Sequence, residues 1–126
     1  DQAALAPDLA AAIRKTHTGY FETASFTQDM IWEQYPWPVK LDRLLAGNAP
    51  ERVMKSQPVQ QLAKPLEPQN AVLLNKTGAT NGFGTYVMLV PKTRTALVVI
   101  ANRNYPNTAR AEAGLKLLEA LKPYTA

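Results

Sequence analysis

Leu73-Leu74-Asn75-Lys76-Thr77-Gly78-Ala79-Thr80-Asn81-Gly82-Phe83-Gly84-Thr85-Tyr86-Val87 is the stretch on which the reading of this chain turns. An apolar run closes on Lys76-Thr77-Gly78, and a glycine-rich turn delivers the chain into a second apolar run. A cation, a hydroxyl and a residue without a side chain therefore stand together near the end of a strand. Gly78 offers no Cβ, so a ligand can lie close against the backbone there.

Working outward, Val72–Lys76, Gly84–Val90 and Ala96–Ala101 read as three strands rich in aliphatic and β-branched residues. Asn81-Gly82 marks the first connection and Pro91–Thr95 the second, which makes an antiparallel meander. Arg110–Lys122 carries Ala111, Leu115, Leu118 and Leu121 or Lys122 at helical spacing, with Pro123 as the stop. At the other end Pro7-Asp8 opens a helix with Leu9, Ile13 and Thr16 or His17 on one face and Gly19 as terminator. Residues 20–33 hold Tyr20, Phe21, Phe26, Ile31 and Trp32 and suit one or two short strands. The expected class is α+β: an antiparallel sheet with flanking N- and C-terminal helices.

Three zones follow: 1–35 with a helix and strands, 36–70 as a Pro-rich loop region, and 71–126 with the meander and last helix. In the middle zone Pro36, Pro38, Pro50, Pro58, Pro65 and Pro68 leave room for a short helix near Leu41–Ala46 and an extended piece near Val53–Val59. A long excursion of this kind is usually functional or mobile.

With 126 residues, 46% of them apolar and 19% charged, the chain reads as one globular unit. The net charge of +4 is scattered, without the basic face interleaved with aromatics that nucleic acid would ask for. No stretch of eighteen apolar residues offers a membrane span. The absence of cysteine excludes disulfides and thiolate chemistry. The single histidine, His17, has no second histidine or cysteine with which to share a metal, and reads as a packed or surface residue. The chain begins at Asp1 without a visible signal peptide, and so reads as a processed or excised piece.

Lys76 is the first candidate for chemistry, as a fixed cation beside a ligand carboxylate or a proton-relaying hydroxyl. Thr77 offers a hydroxyl donor, or simply a β-branched strand residue. A second constellation lies in Asn104-Tyr105-Pro106-Asn107-Thr108-Ala109-Arg110. Asn107 suits an N-cap. Arg110 falls in the first helical turn, where a cation opposes the helix dipole. A bound anion would relieve that conflict, and Glu112 offers a purely structural alternative. The sequon at Asn75-Lys76-Thr77 is set aside for want of a secreted eukaryotic setting, and Lys76-Thr77 lacks the glycines of a phosphate loop.

Asn75 to Gly84 and Ala101 to Arg110 closely resemble the C-terminal part of class C (AmpC-type) serine β-lactamases, and Thr27-Gln28-Asp29-Met30-Ile31-Trp32-Glu33 resembles that family's segment ending in Trp-Glu. The resemblance runs over nearly the whole chain, with Asp29 and Ile31 standing where the family usually has glycines. It implies that Lys76 and Thr77 face an active site, that the Ala79 amide forms half of an oxyanion hole, and that Asn107 and Arg110, with Asn104 as a weaker candidate, recognise a β-lactam carboxylate. It implies acyl transfer on a β-lactam small molecule with no metal or cofactor, and a periplasmic location. The family's Ser-x-x-Lys motif is missing, since Ser25 and Ser56 have no lysine three residues on, and so is its Tyr-x-Asn in a helical setting, because Tyr105-Pro106-Asn107 fits the letters but belongs to the Asn104–Arg110 motif. The expectation is a C-terminal segment whose partner is the remaining N-terminal part of the enzyme. Alternatives of the same fold are a D-Ala-D-Ala peptidase or an esterase, and of another class a non-catalytic fragment.

Overall fold

The computed structural model describes residues 5–121. Its strands join in one sheet of seven, ordered β4-β1-β2-β3-β5-β6-β7, every neighbouring pair antiparallel. The ranges are β1 Gly19–Glu22, β2 Thr27–Asp29, β3 Glu33–Pro36, β4 Gln60–Leu66, β5 Val72–Ala79, β6 Gly84–Val90 and β7 Thr95–Ala101. Helices are α1 Pro7–Thr16, α2 Leu41–Gly47, α3 Pro50–Val53 and α4 Asn107–Leu121. The α+β class and the flanking helices are as the sequence led one to expect.

Strict alternation of burial along β6 sends Tyr86, Met88 and Val90 to one face. Together with Tyr35 and Leu73 they meet Leu44 of α2 and Ala111, Leu115 and Leu118 of α4, forming the core. Gly114 lets α4 settle there: a Cβ would stand 2.5 Å from Met88 Sδ and 3.1 Å from Tyr86 Cε1. The opposite face is thinly covered, and Val98 and Ile100 of β7 stay exposed. On that side Trp32 donates from Nε1 to Thr16 Oγ1 of α1 at 3.2 Å, and its ring meets His17 edge-on at 6.2 Å.

Several boundaries differ from expectation. α1 ends at Thr16, because the His17 and Thr18 amides turn back to the Arg14 and Lys15 carbonyls. Gly19 instead begins β1, where a Cβ would meet Thr27 Cγ2 at 2.9 Å and Leu66 Cβ at 3.1 Å. Residues 19–36 form three strands rather than one or two. The expected extended piece near Val53–Val59 is not a strand; the strand comes later, at Gln60–Leu66, and tolerates Pro65 because it is an outer strand. The turn lies at Asn81-Gly82, closed by Thr80 N–H on Phe83 O at 3.0 Å, yet no described glycine takes a positive φ. That freedom is used by Arg94 (φ 52°) after the 3-10 turn Pro91–Thr93. Lys122 and Pro123, expected to end α4, lie outside the described residues.

Asp29, at the end of β2, is buried with neither carboxylate oxygen partnered among the described residues. Burial, and secondarily the Glu22 carboxylate, push its carboxyl up to about 7.

Candidate active-site wall

β3 pairs with β5 from Pro36↔Val72 to Glu33↔Asn75 and goes no further. β5 continues through Lys76, Thr77, Gly78 and Ala79, held on its other side by β6. Thr80 bonds to Phe83, so in an antiparallel ladder the even-numbered residues of β5 direct their backbone groups to β6. Thr77 and Ala79 then address the side that β3 has left. The strand runs on to Ala79, past the expected Lys76, so Lys-Thr-Gly stands near its end, and no strand among the described residues pairs with that edge.

A cleft of about 550 Å³ flanks this edge. Lys76, Thr77, Gly78 and Ala79 line it from β5, and Asn104 to Asn107 and Arg110 from the segment entering α4. Pro50 and Val53 of α3, with Met54 just after it, complete the wall. All seven residues singled out in the sequence are brought to one place. At Gly78 a Cβ would meet only Thr85 Cβ, at an ordinary 3.8 Å, so no neighbour among the described residues requires glycine.

Lys76 Nζ stands 3.4 Å from Glu33 Oε1. Glu33 is itself held by Asn75, whose Nδ2 donates to Glu33 O at 3.1 Å and Oε2 at 3.2 Å. Asn75 Oδ1 accepts from Tyr86 Oη at 2.7 Å and Asn48 Nδ2 at 3.1 Å. Asn48 Nδ2 also donates to Leu44 O in α2. The exposed amine is thus positioned by a carboxylate anchored to a buried amide that ties β3, β5, β6 and α2 together. Burial pushes the Glu33 carboxyl up, and the Lys76 ammonium works against that. Burial also pushes the Tyr86 hydroxyl up, keeping it a neutral donor. The sequence alone does not single out Glu33, Asn48 or Tyr86 as functional residues, and it offers Asn75 only as part of the family-like stretch and of a sequon. Asn75 is fully buried, which leaves no room for a glycan.

Arg110 requires a correction. Its guanidinium is buried and donates to Gly78 O (2.9 Å), Thr85 O (2.9 Å), Tyr105 O (2.8 Å) and Asn107 Oδ1 (2.6 Å). The Tyr105 ring lies 5.2 Å from the guanidinium carbon. Gly84 makes room for it, since a Cβ there would sit 3.2 Å from Arg110 Cζ and Nη1. Both terminal nitrogens are engaged by the protein, so the anion expected at this helix start finds no free Nη donor. The cation's conflict with the helix dipole is offset by charge-assisted hydrogen bonds instead. Glu112, the structural alternative, pairs with Lys116 at 2.7 Å. Asn107 is also not the N-cap: it is the first helical residue, the Pro106 carbonyl accepts from the Ala109 and Arg110 amides, and the Asn107 oxygen serves Arg110. Asn104 is exposed on the rim.

This mixed fold, with its antiparallel sheet and open Lys-Thr-Gly edge, is that of the β-lactamases. It superposes on a beta-lactamase from Sulfitobacter sp. EE-36 with a TM-score of 0.92 and 50% identity, over 98% of this chain and 34% of that one. The D-alanine carboxypeptidase AmpC of Burkholderia cenocepacia gives a TM-score of 0.91 at 48% identity, over 94% and 34%. A class C beta-lactamase solved with cefoxitin gives 0.89 at 40%, over 95% and 34%. Among curated proteins, the beta-lactamases of Psychrobacter immobilis and Pseudomonas fluorescens are 43% and 42% identical, over 87% and 94% of this chain. The beta-lactamase family model matches residues 1–122, and the chain belongs to that family. It spans about a third of its relatives' length, 27% and 33% of those two.

Proposed function

We propose that this chain forms the C-terminal wall of a serine β-lactamase of the cephalosporinase type, acting with an N-terminal part that bears the nucleophile. The observation that carries this reading is the end of β3 at Glu33, which leaves Thr77 and Ala79 unpaired beside an amine fixed by a carboxylate. A β-lactam lies along that edge as an added strand would. The serine oxygen attacks the lactam carbonyl, the C–N bond breaks, the ring nitrogen takes a proton, and water then hydrolyses the ester. Ala79 N–H donates to the oxyanion, a contribution of about 2.7–4 kcal/mol for such a donor. Lys76 supplies positive potential to the proton-transfer groups, while Thr77, Asn104 and Asn107 hold the substrate's carboxylate. Arg110 acts on that site as a brace. The periplasm is the proposed location, by analogy with the family.

The second reading, a D-alanyl-D-alanine carboxypeptidase, draws on the 48% identity to the Burkholderia cenocepacia enzyme. The test is hydrolysis by the intact enzyme of a chromogenic cephalosporin, a simple ester and a D-Ala-D-Ala peptide, with labelling by a fluorescent penicillin. Preferred cephalosporin turnover supports the first reading, and preferred peptide turnover replaces it with the second. The 126-residue chain alone should remain unlabelled.

A further inference from the structure

At the end of the β5–β6–β7 ladder remote from Lys76, a recess of about 460 Å³ brings together Arg14 from the last turn of α1, His17 at that helix's end, and Arg94 after the Pro91–Thr93 turn. Gln69 and Asn70, in the link before β5, close one side, and Leu89 and Pro91 give it an apolar floor. Its walls are tied: Lys92 N–H donates to Asn70 O at 3.0 Å and Arg94 N–H to Pro91 O at 3.1 Å. None of the lining residues is acidic. Among the described residues neither guanidinium has a hydrogen-bond or ion-pair partner. Glu67 lines the adjoining recess with Arg14 and Lys15, yet forms no ion pair with either.

Two guanidinium groups and an imidazole sharing one recess without a carboxylate form a positive focus with unspent donors. Guanidinium forks match tetrahedral oxyanions two bonds at a time, and gain most when the anion carries two charges. The recess is larger than a bare phosphate needs, and its floor is apolar. We infer that it binds a small phosphomonoester, the phosphate between Arg14 and Arg94 and the organic part against Leu89 and Pro91. His17 reports on the event. Burial and the neighbouring Arg14 hold its imidazole below the usual range, and a bound dianion reverses that influence, raising it. Lys15 and Lys92 flank the site and add to the same potential, and Glu67 opposes it.

The experiment uses the intact protein with labelled histidine, the His17 signal being assigned by its loss in His17→Gln. Phenyl phosphate, inorganic phosphate and phenol are titrated in turn. Saturable shifts are expected with phenyl phosphate, weaker ones with inorganic phosphate, and none with phenol, the bound state titrating at higher pH. Arg14→Ala and Arg94→Ala should each weaken phenyl phosphate about tenfold while leaving β-lactam hydrolysis unchanged. Raising the salt concentration should weaken binding too. Unaltered affinity in the Arg14→Ala/Arg94→Ala double variant would overturn the inference, as would phenol binding as well as its phosphate. A His17 signal insensitive to free phosphates, but responsive to phosphatidylglycerol vesicles, would replace the small ligand with a membrane surface.

Discussion

Removing Arg110 separates a brace from an anion receptor. Arg110→Met keeps much of the side chain's bulk and deletes a guanidinium that serves three main-chain carbonyls and one side-chain oxygen. Each acceptor left short of a donor costs about 1 kcal/mol or more, and loss of the stacking on Tyr105 adds roughly 0.5–1. Relief of the cation at a helix start returns about 0.3–1 kcal/mol. The balance is a destabilisation of about 3.5–5 kcal/mol, which at about 2 °C per kcal/mol for a large domain lowers Tm by about 7–10 °C. Arg110→Lys keeps the charge without the fork and should lose most of the same stability. The assay pairs thermal unfolding of the intact enzyme with cephalosporin kinetics well below Tm. A brace gives a lower Tm in both variants, with KM changed by less than about threefold in Arg110→Lys. An unchanged Tm with KM raised tenfold or more would refute the bracing role and restore the anion receptor.

Three other perturbations have defined outcomes. Lys76→Ala in the intact enzyme should lower cephalosporin turnover at least about tenfold, and an unchanged rate would remove Lys76 from the mechanism. Asp29 titrates near 7 in the folded state and near 3.8 unfolded, so its penalty is absent below pH about 4, grows as pH rises and is complete above about 7. Asp29→Asn should therefore stabilise the protein more at pH 8 than at pH 4, by up to about 4 kcal/mol in urea unfolding, whereas an equal effect at both would show that the carboxylate is solvated. Gly114→Ala drives a methyl against Met88 and Tyr86 and should cost about 1–3 kcal/mol, seen as a lower urea midpoint; no change would mean that α4 shifts freely.

The second half of the chain was the more legible. β6 matches the expected Gly84–Val90 to the residue, because its alternation and flanking turns are both local signals. The Pro-rich region was harder: α2 is where the spacing of the prolines leaves room for it, but β4 exists only by pairing with β1, a long-range fact that local propensity does not carry. The site followed the same divide. Lys76, Thr77, Gly78 and Ala79 could be read as a contiguous motif, and all line the cleft. Glu33 lies more than forty residues away and becomes visible only once β3 and β5 are placed side by side in register. Arg110 was noticed for an electrostatic conflict that is real, but its resolution by carbonyls of β5 and β6 depends on tertiary packing. Gly114 left a readable trace, a glycine in mid-helix among apolar neighbours, whose packing purpose went unrecognised.

The most direct measurement is a crystal structure of the intact enzyme carrying the acyl group of a slowly released cephalosporin. The expected result places the acyl carbonyl oxygen about 2.7–3.1 Å from Ala79 N, with the opened β-lactam extended along Thr77. An acyl oxygen turned away from β5, with the Ala79 amide bonded to another part of the protein, would contradict the role given to the open strand edge.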